Sequence, residues 1–288
     1  MWIGVDGELR RSGEDHVGAL EGGASVGWGV FTTGAIVRGR PALLSRHIER
    51  LRGDAARAGL LREGARATDQ AWDAGWSGLL HKLIEAKDVE QGLFRLTLCA
   101  RGEGRWHAEG RPRALVAAVP GDLQAKPVEA WLSPYHMDAR RPLCGVKSTS
   151  YAPWHIMALE ASERGCGEAI YRDSHGALCE GARSNLFWRR GIEVCTPGLG
   201  TGCLPGIARA LLCSWLSEAG SPWRVRQAHE PSDTLLQADE IFLSSSTLGP
   251  RPIVLLRGDN NGVLWQSQGQ NMACETLRER WRQVVEGD

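Results

Sequence analysis

The chain has 288 residues, 42% of them hydrophobic and 24% charged, with a formal net charge of zero. That length suits about two domains or one large one, and the mixture is that of a globular protein able to bury a sizeable core. Balanced charge argues against a nucleic-acid partner, which needs a strongly basic face, and no apolar run approaches the ~20 residues of a membrane span.

No N-terminal stretch has the three regions of a signal peptide, so a cytoplasmic location with reduced thiols is expected. The eight cysteines form no C-x-x-C pair. Neither a metal nor a redox motif is therefore expected, and the bland role for these thiols is small core filler.

The opening "MWIGVDGELRRSG" reads as a strand and a turn. "GVFTTGAIVRGRPALL" (29–44) reads as two strands around a turn at Arg38, Gly39 and Arg40. Residues 43–60 then carry apolar side chains at 44, 48, 51, 55 and 58, the spacing of a helix. A second helix is expected over 70–86, followed by strands at 93–102 and 113–120 flanking a Gly- and Arg-rich loop. "GDLQAKP" (121–127) is polar and ends in Pro, which makes it the expected interdomain linker between a small domain, 1–120, and a larger one, 128–288. Beyond it the pattern predicts a strand at 128–133, a helix near 154–164 and a hairpin over 168–181 with its turn at Asp173–Gly176. Strands at 185–195, a helix from about 206 to 219, a buried strand at 239–246 and a closing amphipathic helix near 271–285 complete the chain. Strands and helices alternate without a regular rhythm, which disfavours a doubly wound sheet or an eight-fold barrel.

Four features could make one site. Lys147 lies in "LCGVKSTSY"; a lysine held near an aldehyde can form a Schiff base and, once displaced, shuttle protons, although a lone lysine is ordinarily a surface residue. Glu180 stands at a strand end, where a carboxylate can keep a pyridine nitrogen protonated; taken alone it is equally a solvated hairpin residue. In "GCLPGIAR" (202–209) Gly206 precedes a helical pattern. The N–H groups of Ile207 and Ala208 would then point outward as a phosphate seat, or the segment is a plain Gly-Pro turn. "LSSSTLGP" (243–250) sets hydroxyls, Ser246 among them, after a buried strand, and Arg50 on the first long helix could add a positive charge. The Gly200 and Gly202 pair lacks the spacing and distal acid of a dinucleotide site.

In chain order these features resemble the signature of the class IV, fold-type IV pyridoxal-phosphate enzymes, which include branched-chain aminotransferases, D-amino-acid aminotransferases and aminodeoxychorismate lyases. The carrying residues are Glu180, then Asn185, Leu186 and Phe187, then Thr196, then Leu204, Pro205, Gly206, Ile207, Ala208 and Arg209. "GWGVFTTGAIVRGRPALLSRHIERLR" and "GVKSTSY" extend the resemblance over nearly the whole chain. It implies an α/β (α+β) fold, with a small N-terminal domain, a larger C-terminal pseudobarrel domain and pyridoxal 5'-phosphate between them, usually in a homodimer. It implies Lys147 as the Schiff-base and proton-transfer residue, with Glu180 on the pyridine nitrogen and Leu204 behind the ring. It places Arg50, Ile207, Ala208 and Ser246 at the phosphate and Tyr151 near the ring hydroxyl.

"FTTGAIVRGRPALLSRHIERL", "NLFWRRG" and "FLSSSTLGPRPI" look most like the lyases, and no Tyr-x-Arg element of the branched-chain aminotransferase kind precedes the loop at 101–112. The implied reaction turns 4-amino-4-deoxychorismate into 4-aminobenzoate and pyruvate. A class IV aminotransferase acting on branched-chain or D-amino acids is the alternative, and a homologue without turnover is a third possibility. Arg101, Arg105 and Arg111 are candidates for the substrate carboxylates on charge alone. Three positions depart from the family pattern: Trp28 sits within Gly27-Trp28-Gly29 where Gly-Asp-Gly is frequent, Ser150 replaces a frequent Asn, and Ala208 a frequent Thr.

Overall fold

The computed structural model describes residues 2–11, 13, 21–61, 70–102 and 111–287, with the backbone alone for 70–74. Two compact units emerge. The first comprises Met1–Leu123, Val146–Tyr151 and Val284–Asp288, and the second Gln124–Gly145 and Ala152–Gln283. Residues 121–127 contain neither helix nor strand, yet the division is not the single cut in chain order expected there. Residues 146–151 return to the first unit because their backbone bonds to its sheet.

In the first unit the elements are β1 (Trp2–Val5), β2 (Glu8–Arg11), α1 (Gly22–Ser25), β3 (Gly29–Val37), β4 (Arg40–Pro41), α2 (Leu44–Arg57), α3 (Gln70–Ala86), β5 (Gln91–Cys99) and β6 (Arg113–Pro120). The strands form one antiparallel sheet in the order β2-β1-β6-β5-β3-β4. Val37 pairs with Arg40, so the β3–β4 loop is two residues, and Arg38 and Gly39 both have positive φ (51° and 70°). That is the hairpin turn whose twist matches the flanking strands. The long helix α2 ends where Gly59 adopts φ 69°. There Gly59 N–H bonds to Ala56 O at 3.1 Å and Leu60 N–H to Ala55 O at 2.9 Å, a Schellman closure that satisfies the last carbonyls. The α2 stripe buries Ile48, Leu51 and Ala55 as expected, but also His47 and Asp54.

The second unit contains β7 (Val128–Met137), α4 (Ala152–Glu163), β8 (Glu168–Asp173), β9 (Leu178–Gly181), β10 (Asn185–Arg190), β11 (Glu193–Pro197), α5 (Ile207–Leu216), β12 (Arg224–Ala228), β13 (Glu240–Ser245), β14 (Gly249–Arg257), β15 (Val263–Gln266) and most of α6 (Met272–Gly287). Its mixed sheet runs β12-β11-β10-β13-β14-β7-β8-β9, with β15 against β14. Both faces are buried. On β8, Ile170 joins a core that includes Leu186, Trp188 and Leu243, while its neighbours Ala169 and Tyr171 join Trp131, Met157 and Cys179, as the two-residue period of a strand requires. The β8–β9 turn is pinned by Asp173 Oδ1, which accepts the N–H groups of His175 and Ala177, each at 2.9 Å.

Four strands are additional to the sequence reading: β2, β12, β14 and β15. β14 begins Gly-Pro-Arg-Pro, and prolines demote a stretch from strand candidacy. Here Pro250 and Pro252 are two residues apart, so both missing donors lie on the same side of the strand, and pairing with β7 begins only at Ile253. No helix among the described residues is long and apolar enough to cross a membrane.

Gly92 pairs with Pro120, and a Cβ there would lie 2.1 Å from the Val119 carbonyl oxygen. That neighbour is backbone in a hydrogen-bonded ladder and cannot swing aside. Gly92→Ala is expected to destabilise the protein by about 2–3 kcal/mol, read as a lower denaturant midpoint; an unchanged midpoint would show that β5 and β6 can separate at little cost.

Candidate active site

In the first unit the segment 146–151 lies along β3. Phe31 N–H donates to Lys147 O at 2.9 Å, Thr149 N–H to Gly29 O at 2.9 Å, and Ser148 forms an antiparallel bridge with Val30. Thr149 and Ser150 donate their hydroxyls to Gly27 O at 2.7 and 3.0 Å. These bonds fix the half-buried Lys147 from both sides. Its Nζ stands 4.7 Å from the Phe31 ring centroid and 5.1 Å from that of Tyr151, two rings packed edge to face. Its backbone N–H donates to Asp54 Oδ2 at 3.3 Å.

Behind the lysine is a polar cluster carried by α2. His47, Arg50 and Asp54 are spaced by three and four residues, so they share one helix face. Arg50 donates to Thr32 Oγ1 at 2.7 Å, and Thr32 Oγ1 lies 2.6 Å from His47 Nδ1. Burial pushes the His47 imidazole well below its ordinary pKa, and the Arg50 and Lys147 cations push it further. Burial also lifts the Asp54 carboxyl above the usual range, against the pull of Arg50 and of the Lys147 N–H. Sequence reasoning named Lys147, Arg50 and Tyr151, which the structure brings together in the first unit, and did not single out Thr32, His47 and Asp54. The available signal was two polar residues falling within an apolar helical stripe.

In the second unit Glu180 is 8% exposed and its carboxylate is fully engaged. Tyr171 OH donates to Oε1 at 2.8 Å, while Asn185 Nδ2 and Leu204 N–H donate to Oε2 at 2.9 and 3.0 Å. Three donors on one carboxylate favour its anionic form. Trp154 Nε1 donates to Tyr171 OH at 3.2 Å, so the tyrosine proton is directed at Glu180. Burial, with Glu180 and Cys179 beside it, raises the Tyr171 phenol well above its ordinary value. Asn185 also donates to Leu204 O at 2.9 Å, which ties the loop before α5 to the acid. Only glycine fits at 206, where a Cβ would lie 2.0 Å from Asn185 Oδ1. The sequence reading had Asn185 as part of a signature; Tyr171 was missed because it sits inside an unremarkable strand.

The helix α5 begins at Ile207 with no side-chain cap, and its first intrahelical bond is Ala210 N–H to Gly206 O at 2.9 Å. The N–H groups of Ile207 and Ala208 thus have no acceptor within the helix. Arg209 is buried and donates to Pro197 O at 2.8 Å and Gln227 Oε1 at 3.1 Å, which is a structural role. Ser246 lies half-buried in the turn after β13, and Ser244 Oγ is buried without a hydrogen-bond partner among the described residues. Arg101 pairs with Asp6, which also takes Arg113, so a substrate carboxylate would have to displace that partner. Arg111 is exposed, and Arg105 lies outside the described residues. Trp28 Nε1 donates to Ala58 O at 2.8 Å, which makes it a packing residue at the end of α2. Among the described residues no group of three His, Cys, Asp or Glu could hold a metal ion.

The profile of the family described as amino-transferase class IV matches residues 29–256. The aminodeoxychorismate lyase of Bacillus subtilis is 25% identical over 301 residues, covering 97% of this chain and 99% of that protein. The D-alanine aminotransferase of Bacillus licheniformis is 26% identical over 91% of this chain and 90% of its own. A hypothetical aminotransferase from Mycobacterium tuberculosis, solved with α-ketoglutarate and PMP bound, superposes with a TM-score of 0.83 at 21% identity and covers 100% of both chains. The architecture is that of fold-type IV.

His47 gives a pH-dependent prediction. Its folded pKa is depressed, so the unfolded chain binds the proton more readily. The stabilisation is complete above the ordinary imidazole value of about 6.5 and is lost as pH falls towards the depressed folded value. Between about pH 7 and about pH 5 the His47→Asn variant is expected to lose less stability than the parent. Urea midpoints at the two pH values check this; equal losses would mean that His47 is not held neutral.

Proposed function

The chain belongs to the class IV aminotransferase family, and on that premise we propose that it is a pyridoxal-phosphate-dependent aminodeoxychorismate lyase, releasing pyruvate from 4-amino-4-deoxychorismate and leaving 4-aminobenzoate. The family's cofactor is pyridoxal 5'-phosphate, and the residues present suit it. A half-buried lysine amine beside two aromatic rings, a buried carboxylate, an uncapped helix start and a half-buried Arg50 guanidinium correspond to its aldehyde, ring nitrogen and phosphate in chemical type.

When bound, the cofactor supplies an electron sink conjugated to the substrate amine. Lys147 Nζ would hold the aldehyde and, once released by the substrate amine, take the proton from substrate C4 and return one to the departing enol of pyruvate. Glu180, kept anionic by its three donors, would hold the proton on the ring nitrogen and so maintain the sink. Arg50, the N–H groups of Ile207 and Ala208, and Ser246 would bind the phosphate. Leu204 would back the ring, and Tyr151 would meet its hydroxyl.

The observation that carries the lyase reading is the likeness to the Bacillus subtilis lyase along nearly the full length of both chains. The aminotransferase reading has its own support in the comparably long likeness to a D-alanine aminotransferase. One assay separates them. Pyruvate release from aminodeoxychorismate is the expected result; rapid amination of 2-oxoglutarate with no pyruvate would replace the lyase reading with the aminotransferase one.

Two variants test the residue roles. Lys147→Ala is expected to abolish both turnover and the near-visible absorption of lysine-bound cofactor, and residual turnover would remove Lys147 from the chemistry. Glu180→Gln is expected to retain cofactor while slowing turnover by about ten-fold or more, because an unprotonated ring nitrogen is a poorer sink. A rate within about two-fold of the parent would contradict that role.

A further inference from the structure

The hydrogen bonds behind Arg50 have a direction. A guanidinium only donates, so Thr32 Oγ1 accepts from Arg50. Thr32 is fully buried and its remaining neighbour is His47 Nδ1. If Nδ1 carried the imidazole proton, the threonine hydroxyl would have no acceptor in a buried site. Thr32 therefore donates to Nδ1, and His47 is the neutral tautomer with its proton on Nε2.

That arrangement has a drawback which an apolar residue would avoid. His47 Nε2 is buried with no hydrogen-bond partner among the described residues. The Phe94 ring packs edge-on against the imidazole at 5.1 Å between centroids, and β3 comes so close that a Cβ at Gly34 would lie 2.7 Å from Nε2. A buried polar atom left unpaired is destabilising, so what the histidine offers is its acceptor, Nδ1. That acceptor turns the threonine oxygen towards Arg50. Arg50 itself is only half-buried, and Thr32 holds one end of its guanidinium, so the other end is the part that could meet a ligand anion.

We propose that Thr32 and His47 are positioning residues that set the guanidinium of Arg50 for the phosphate of the cofactor. The inference rests on the phosphate role given to Arg50 above and adds to it the pair of residues that aims the group. Neither Thr32 nor His47 need touch the ligand; both act through Arg50.

The test compares the affinity of the full-length apo protein for pyridoxal phosphate and for pyridoxal, which lacks the phosphate. Thr32→Val keeps the shape and removes the hydroxyl. It is expected to weaken pyridoxal phosphate binding about ten-fold and leave pyridoxal binding within about two-fold. Thr32→Ser should restore binding, as should His47→Asn, which returns an acceptor near Nδ1, whereas His47→Leu should match Thr32→Val. In an Arg50→Met background the Thr32→Val change should have no further effect, because the pair acts only through Arg50. Equal weakening of both ligands by Thr32→Val, or an effect that persists without Arg50, would show a general structural role and overturn the relay. If Arg50→Met alone leaves pyridoxal phosphate binding unchanged, the phosphate role of Arg50 fails first and the relay with it.

Discussion

The placement of one amine depends on a short backbone ladder. Residues 146–151 leave the second unit's sequence neighbourhood and bond to β3 through Phe31 N–H, Thr149 N–H and the Val30–Ser148 bridge. A lysine side chain has four rotatable bonds and no fixed position of its own. Its backbone is held on one side by that ladder and on another by Asp54, and its ammonium rests against Phe31 and Tyr151. The rest of the first unit's polar cluster follows from this placement. β3 must be backed by β5 along its length and left open by β4, which pairs only with Ile36 and Val37, α2 must lie against it, and the glycines at 27 and 29 must let the two segments meet, since a Cβ at either would fall within 2.8 Å of the lysine segment's side chains.

The polar groups around these elements obey one electrostatic logic. In the first unit's cluster His47 faces the cations of Arg50 and Lys147, and burial removes the charge that is easiest to lose. The imidazole is neutralised, Arg50 is kept charged by its high intrinsic pKa despite being lowered, and Asp54 partly offsets it. In the second unit Glu180 carries the opposite charge, and three donors hold its carboxylate in place. On the proposed function, the first group would serve the aldehyde and anionic tail of the cofactor and the second its ring nitrogen.

The departures from the family pattern have unequal weight. Trp28 is explained by its bond to the end of α2. Ser150 still reaches a backbone carbonyl, so its replacement of a longer amide leaves the lysine segment tied down. Ala208 keeps the backbone N–H at the helix start and loses only a hydroxyl.

The sequence by itself determined the local elements and the signature: a hairpin turning at Arg38, Gly39 and Arg40 (of which the structure places Arg40 in β4), the α2 stripe, the Asp173 turn, and the ordered series from Glu180 to Arg209. These are short-range or pattern-coded, and elementary propensities are enough to read them. Tertiary structure decided which distant residues meet. That Thr32 and His47 stand behind Arg50, that Tyr171 aims its proton at Glu180, and that residues 146–151 belong with β3 all depend on pairings between segments far apart in the chain. The sequence carries no periodic mark of such pairings. The prolines of β14 even argued for the wrong state, because only the sheet shows that the strand does without donors at those two positions.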